Sequence, residues 1–161
     1  DWSFLEKCSN LEVLYLEKSN FRDFSLLDKS NNLRTLFLST NQKICYNGIE
    51  NLASLEFASL ALTDYDMTEI CKLKSLHSLY FSGGKITDYS LINEMNLKDI
   101  GFSDYENADE CVINLQNVEL VSDVFFADCS FSMSEDELRN FFNKNIKNFT
   151  FYSNYIVFRF N

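Results

Sequence analysis

The sequence contains no proline, four glycines and one histidine in 161 residues. The lack of proline and scarcity of glycine exclude a collagen-like chain, Pro-rich linkers and ordinary low-complexity disorder. Four glycines also leave little material for phosphate-cradling loops. Ser82-Gly83-Gly84 lacks the lysine and the strand–loop–helix setting of such a loop, and reads instead as easing a turn after a strand. A metal site based on His77 would need help from carboxylates or cysteines. No C-x-x-C pair occurs among Cys8, Cys45, Cys71, Cys111 and Cys129, so zinc ribbons and thioredoxin-type redox motifs are out. There is no run of 18 apolar residues, hence no transmembrane helix. Basic residues are in deficit, 14 against 24 acidic, for a net charge of −10. That balance repels phosphate backbones and disfavours nucleic acid as a partner.

What is present is core material. Hydrophobic residues make up 46% of the chain, with 16 phenylalanines. The length fits one domain over residues 1–161. Asp1 is not a natural start, so the expectation is a segment of a longer protein. The odd cysteine count and the absence of a basic, apolar leader in residues 1–7 favour free thiols and a cytoplasmic setting. A secreted or cell-surface protein is the alternative if the N-terminus is truncated.

The dominant signal is internal repetition. The pattern L-x-x-L-x-L reads Leu11-Leu14-Leu16, Leu33-Leu36-Leu38, Leu52-Leu55-Phe57 and Leu76-Leu79-Phe81. It continues as Leu97-Ile100-Phe102, Val121-Val124-Phe126 and Ile146-Phe149-Phe151. Position nine of the template is Asn41 in the second match, Cys129 in the sixth and Asn154 in the last. A second phrase recurs between the matches: Asp1-Trp2-Ser3-Phe4-Leu5, Asp23-Phe24-Ser25-Leu26-Leu27 and Asp88-Tyr89-Ser90-Leu91-Ile92. Asp64-Tyr65-Asp66-Met67 is a looser copy.

The chain resembles the leucine-rich-repeat family, whose template is L-x-x-L-x-L-x-x-N/C-x-L, and the match spans almost the whole sequence. Ile86-Thr87-Asp88-Tyr89-Ser90 is similar to the I-x-D-I-S-P-L phrase of bacterial internalin-type repeats, without its proline. The resemblance implies an α/β solenoid, a curved arc with a parallel concave sheet of about seven strands and short helices or turns on the convex side. It also implies a bacterial surface or effector protein that binds a host protein.

Template positions 1, 4 and 6 should point inward from each strand, because successive strand residues alternate sides. Phe57, Phe81, Phe102, Phe126 and Phe151 would then form one inner column of rings. On the convex side, Ser134-Glu135-Asp136-Glu137 is a capping box that predicts a helix over 135–144. Shorter helical turns are expected at 24–30, 66–73 and 89–95, and a loop at 104–114.

The outward positions carry the candidate site. Position five reads Tyr15, Phe37, Glu56, Tyr80, Gly101, Phe125 and Thr150, and position seven adds Tyr152. Outward rings are not needed by the core and suit an interface. Asp99 and Asp123 share position three, and Asp104 and Asp128 share position eight. Like charges on neighbouring strands cost stability, so this patch suggests a basic partner surface. A calcium site is the weaker alternative, and an ordinary solvated acidic face stands level with the basic-partner reading.

Catalytic constellations are poor. A Ser78–His77–Asp99 arrangement puts adjacent strand residues on diverging sides. The reading is non-catalytic protein–protein recognition through the concave face, with no enzyme activity, cofactor or metal. The alternative is a structural or regulatory repeat arm of a larger enzyme or surface-displayed protein.

Overall fold

A computed structural model describes residues 1–115, 123–141, 146–152 and 155–160, with side chains for all of these except residue 139 and residues from 146 onward. The strands are β1 (Val13–Ser19), β2 (Thr35–Thr40), β3 (Phe57–Ala61), β4 (Asp64–Tyr65), β5 (Ser78–Ser82), β6 (Lys85–Ile86), β7 (Asp99–Ser103), β8 (Asp123–Ala127), β9 (Ile146–Tyr152) and β10 (Tyr155–Phe160). The described residues also form three helices, α1 (Met67–Ile70), α2 (Asp109–Leu115) and α3 (Glu135–Phe141), and 3-10 turns at Ser3–Lys7, Phe24–Leu27, Ile49–Asn51 and Tyr89–Glu94. One sheet runs β1-β2-β3-β5-β7-β8-β10-β9, and β4 pairs with β6 in a second, two-stranded one. The first six strands of the large sheet are parallel.

Each parallel strand is held by period-two alternation. β2 and β3 bury every second residue, and the buried set aligns across the sheet. One inward column is Leu14, Leu36, Ala58, Leu79, Ile100 and Val124. The next is Leu16, Leu38, Leu60, Phe81, Phe102 and Phe126. Phe81, Phe102 and Phe126 stack with centroids 5.7 and 5.2 Å apart. No single unit can bury such a face alone, so the units must stack.

The recurring Asp phrase acts as a helix cap. Asp23, Asp66 and Asp88 each precede a turn and accept from the backbone N–H two residues on, at 3.0, 3.1 and 2.9 Å. The hydroxyls of Ser25, Thr68 and Ser90 donate to the same carboxylate oxygens. Asp1 makes the equivalent bond to Ser3 N–H at 2.9 Å. Such caps satisfy donors that a helical turn leaves free. The capping box forms too: Ser134 N–H donates to Glu137 at 2.7 Å, and α3 follows it. The Ser134 hydroxyl, which also donates to Glu137 at 2.7 Å, and then the N–H bond hold the Glu137 carboxyl below the usual carboxylate range. Residues 142–145 of the expected 135–144 helix lie outside the described residues.

The structure corrects four expectations. The third repeat is Leu55-Ala58-Leu60, not Leu52-Leu55-Phe57, because Leu36 pairs with Ala58 and Leu38 with Leu60. Phe57 is therefore absent from the inner column and faces outward. Residues 104–114 are not simply a loop, since α2 begins at Asp109. Ala108, Cys111, Val112 and Leu115 are buried at helical spacing. The buried Asp109 carboxylate ties that helix to the Ser132 hydroxyl and to the Ser132 and Met133 N–H groups. The seven-strand parallel sheet becomes six parallel strands plus a hairpin. The expected seventh repeat, Ile146-Phe149-Phe151, lies on β9, which pairs antiparallel with β10. Only two residues separate β9 from β10, and a parallel crossover needs about a dozen. β10 in turn runs antiparallel to β8.

Candidate functional site

The outward face of the sheet is built from the residues between those inward columns. Tyr15, Phe37, Ser59, Tyr80, Gly101 and Phe125 form one cross-strand row. Val13, Thr35, Phe57, Ser78, Asp99 and Asp123 form the row before it. Ser59 leaves a gap in the ring row, and Phe57 fills it from the neighbouring row.

The rings touch in sequence across the sheet. Tyr15 stacks on Phe37 with centroids 4.4 Å apart and planes 6° from parallel. Phe37 meets Phe57 at 5.1 Å, Phe57 meets Tyr80 at 5.4 Å, and Tyr80 meets Phe125 at 6.1 Å. Tyr15 is 61% exposed, and the other four rings are half-buried by their neighbours. The result is a five-ring stripe spanning β1 to β8.

Gly101 makes the last step possible. A Cβ placed there would lie 2.2 Å from Tyr80 Cδ1 and 2.6 Å from Cε1. The Tyr80 ring therefore lies over a residue with no side chain and reaches Phe125 two strands away. We expect Gly101→Ala to push that ring aside. Near-ultraviolet circular dichroism should lose aromatic signal while the far-ultraviolet spectrum holds, and an unchanged near-ultraviolet spectrum would count against this packing. Burial, with Asp99 and Asp123 nearby, raises the Tyr80 hydroxyl above its ordinary value.

The acidic residues do not form one cluster. Asp99 and Asp123 pair in register at the start of β7 and β8. Ser78 Oγ donates to Asp99 at 3.0 Å, and the backbone register sets Arg159 of β10 opposite Asp123. Asp104 and Asp128 lie at the far ends of the same strands, both exposed, at positive φ of 59° and 52°. Lys18 and Gly83 hold the same template position at 47° and 58°. In these four repeats, though not at Thr40 or Leu62 of the second and third, that position is a left-handed turn, which short polar side chains tolerate better than most. Ser82 Oγ donates to Asp104 at 2.6 Å. The location of Asp104 and Asp128 thus has a backbone reason as well as a charge.

Glu56 sits one row before the ring rows and pairs with Arg34. Its backbone accepts from His77 N–H at 2.9 Å. It is off the row expected for it, for the same reason that Phe57 is. Tyr152 ends β9, opposite Tyr155 of β10, and its side chain lies outside the described residues. Phe57 is the ring that the Leu52-Leu55-Phe57 match hides, by assigning it to the inner column. A strict 22-residue step from Leu33 reaches Leu55, and that step alone would have turned Phe57 outward.

The Ser78 hydroxyl bonds Asp99 directly, so the Ser78–His77–Asp99 relay has no geometric basis. Among the described residues, no three His, Cys, Asp or Glu side chains are grouped to hold a metal, and no helix is long and apolar enough to cross a membrane. All five cysteines are unpaired, and Cys71 and Cys111 are buried.

The fold has a counterpart among solved structures. An internalin from Listeria monocytogenes superposes with a TM-score of 0.51 at 20% sequence identity, over 88% of this chain and 48% of that one. The fold is internalin-like. The chain spans about half the length of that internalin-like counterpart. No protein-family model matches the sequence, and no curated protein matches it.

Proposed function

We propose that the chain is an arc of a leucine-rich-repeat solenoid that recognises another protein, without catalysis, through the concave face of its sheet. The observation that carries this reading is the ring stripe. Five aromatic side chains in unbroken contact face away from a core that is already filled by two complete inward columns. Rigid rings give contact area at little entropic cost, and such residues dominate interface energetics. The core anchors are Phe37, Phe57, Tyr80 and Phe125, with Tyr15 at one rim and Asp104 and Asp128 at the other. The net charge of −10 and those two exposed carboxylates favour a partner with a basic surface. Internalin-like architecture is compatible with a recognition role and adds no partner.

The test is capture of partners from an extract of the source cells by wild type and by the Tyr80→Ala/Phe125→Ala double variant. We expect the double variant to lose at least about a hundredfold in affinity, as two hot-spot rings would. Its unfolding should stay cooperative. Equal capture by the two proteins would sink the reading.

A further inference from the structure

The rings of the stripe are turned toward one another. Successive planes from Tyr15 to Phe125 lie 6°, 40°, 30° and 29° apart. Strands are spaced by about 4.8 Å, so rings stacked from strand to strand stand on edge above the sheet. Phe37, Phe57 and Tyr80 each have a ring on either side. Their faces are spent on neighbouring rings, and C–H edges look outward. A ring's face is its negative part and its edge the positive part. Lysine or arginine gains by lying over a face, and no face is open along the middle of the stripe. The stripe is thus an apolar ridge suited to aliphatic side chains, which bind by the area they remove from water.

Beside the ridge the sheet drops. Two residues further along the strands, Ser39, Ala61, Ser82, Ser103 and Ala127 form the next outward row. No ring or long side chain stands in that row from β2 to β8. A hollow of about 470 Å³ opens where Ser39, Ala61 and Ser82 meet the rim.

Charge on that rim is uneven. Position eight reads Lys18, Thr40, Leu62, Gly83, Asp104 and Asp128 from β1 to β8. At the β1 end, exposed Glu17 offsets exposed Lys18 beside it. At the β7–β8 end, Asp104 and Asp128 are exposed on adjacent strands, and neither joins an ion pair among the described residues. A second copy of the chain is a poor occupant, because it brings another net charge of −10 and the same rim.

We propose that the occupant is one segment of another protein that lies across the strands. It sets aliphatic side chains against the ring edges and over the Ser/Ala row, and carries its basic residues at the end that meets Asp104 and Asp128. This assignment rests on the stripe being the contact surface, and adds the occupant's chemistry and direction.

The stripe spans five strand steps, about 24 Å. A segment of about 16 residues covers that length even when helical. Random 16-residue peptides displayed on phage are therefore selected on the wild-type protein, and those recovered are synthesised and titrated. Leu, Ile, Val and Met should outnumber aromatic residues in them, with at least two Lys or Arg toward one end. Asp104→Lys/Asp128→Lys should bind them at least tenfold more weakly with an unchanged circular dichroism spectrum, since Lys18 already holds this backbone position. Peptides whose basic residues are changed to Glu should regain at least tenfold on that variant. Undiminished binding to the rim variant, or selected peptides richer in aromatic than aliphatic residues, would overturn the assignment while recognition through the stripe stands. Selected peptides that bind Tyr80→Ala/Phe125→Ala as tightly as wild type would overturn both.

Discussion

Phe102→Ala should lower stability by about 3–5 kcal/mol, the usual cost of deleting a fully packed ring. The reason is its place in the inner column. Phe102 is 2% exposed and stacks between Phe81 and Phe126. It also meets Tyr105 edge-on at 5.9 Å and Tyr89 at 6.4 Å. Truncation removes four ring contacts at once and opens a cavity in a sheet whose backbone is held on both sides. Parallel pairing to β5 and β8 prevents the strand from closing the gap. Phe57→Ala provides the control. It removes an equally large ring from the outward face, where water can take its place, so it should cost well under half as much. Urea unfolding of both variants measures the difference. Similar losses would mean that the assignment of inner and outer faces is wrong.

That pair of variants also shows where the sequence was readable. Leu, Ile and Phe at three-and-two spacing identify a strand with one buried face, and five of the seven matches were in register. The third failed because Leu52, Leu55 and Phe57 imitate the pattern by chance. Leu52 is indeed buried, but it follows the Ile49–Asn51 turn rather than opening a strand. The true fourth position is Ala58, too small to stand out as a leucine equivalent. The seventh match failed for another reason. Residues 146–151 have the right composition for a strand, yet its partner is set by the chain that follows, which a repeat template does not contain.

The candidate site was legible to the same degree. Tyr15, Phe37, Tyr80 and Phe125 lie in one row because that row depends only on alternation within each strand. The continuity of the stripe was not legible. It depends on Phe57 crossing from an adjacent row and on Tyr80 leaning over Gly101, and both are facts of side-chain packing. The acidic residues were placed in their columns correctly, but columns at opposite strand ends do not make a patch. Asp104 and Asp128 carry a backbone signal instead, a left-handed turn closing each strand.

Tyr65→Phe should cost about 2–4 kcal/mol at neutral pH, although it deletes a single oxygen. Each buried polar group left without a partner costs on the order of 1–3 kcal/mol. Tyr65 is fully buried, and its hydroxyl closes the ends of two strands at once. Its single proton goes to Leu60 O at 2.7 Å, with Ser82 O the alternative acceptor at 3.0 Å, and its oxygen accepts from Leu62 N–H and Ser82 N–H, each at 3.2 Å. Two other repeats, the first and the sixth, meet this need with a residue at template position nine. Ser19 donates to Ser39 O, and Cys129 faces Phe102 O and Ala127 O. The third repeat has Thr63 there, and the bonds come from Tyr65, two residues further on. Burial pushes the Tyr65 hydroxyl up to about 12 from 10.0. A group with a raised folded value contributes stability that is complete below its unfolded value and is lost as pH climbs through the folded one. Wild type should therefore weaken between pH 10 and 12 as the unfolded chain ionises first. The Phe variant should start lower and fall less steeply across that window. Its curve should converge on wild type by about 2–3 kcal/mol, at 1.36 kcal/mol for each unit of displacement. Urea unfolding at intervals from pH 7 to 12 decides the matter, since parallel curves would mean that the hydroxyl is not the group holding the two strand ends together.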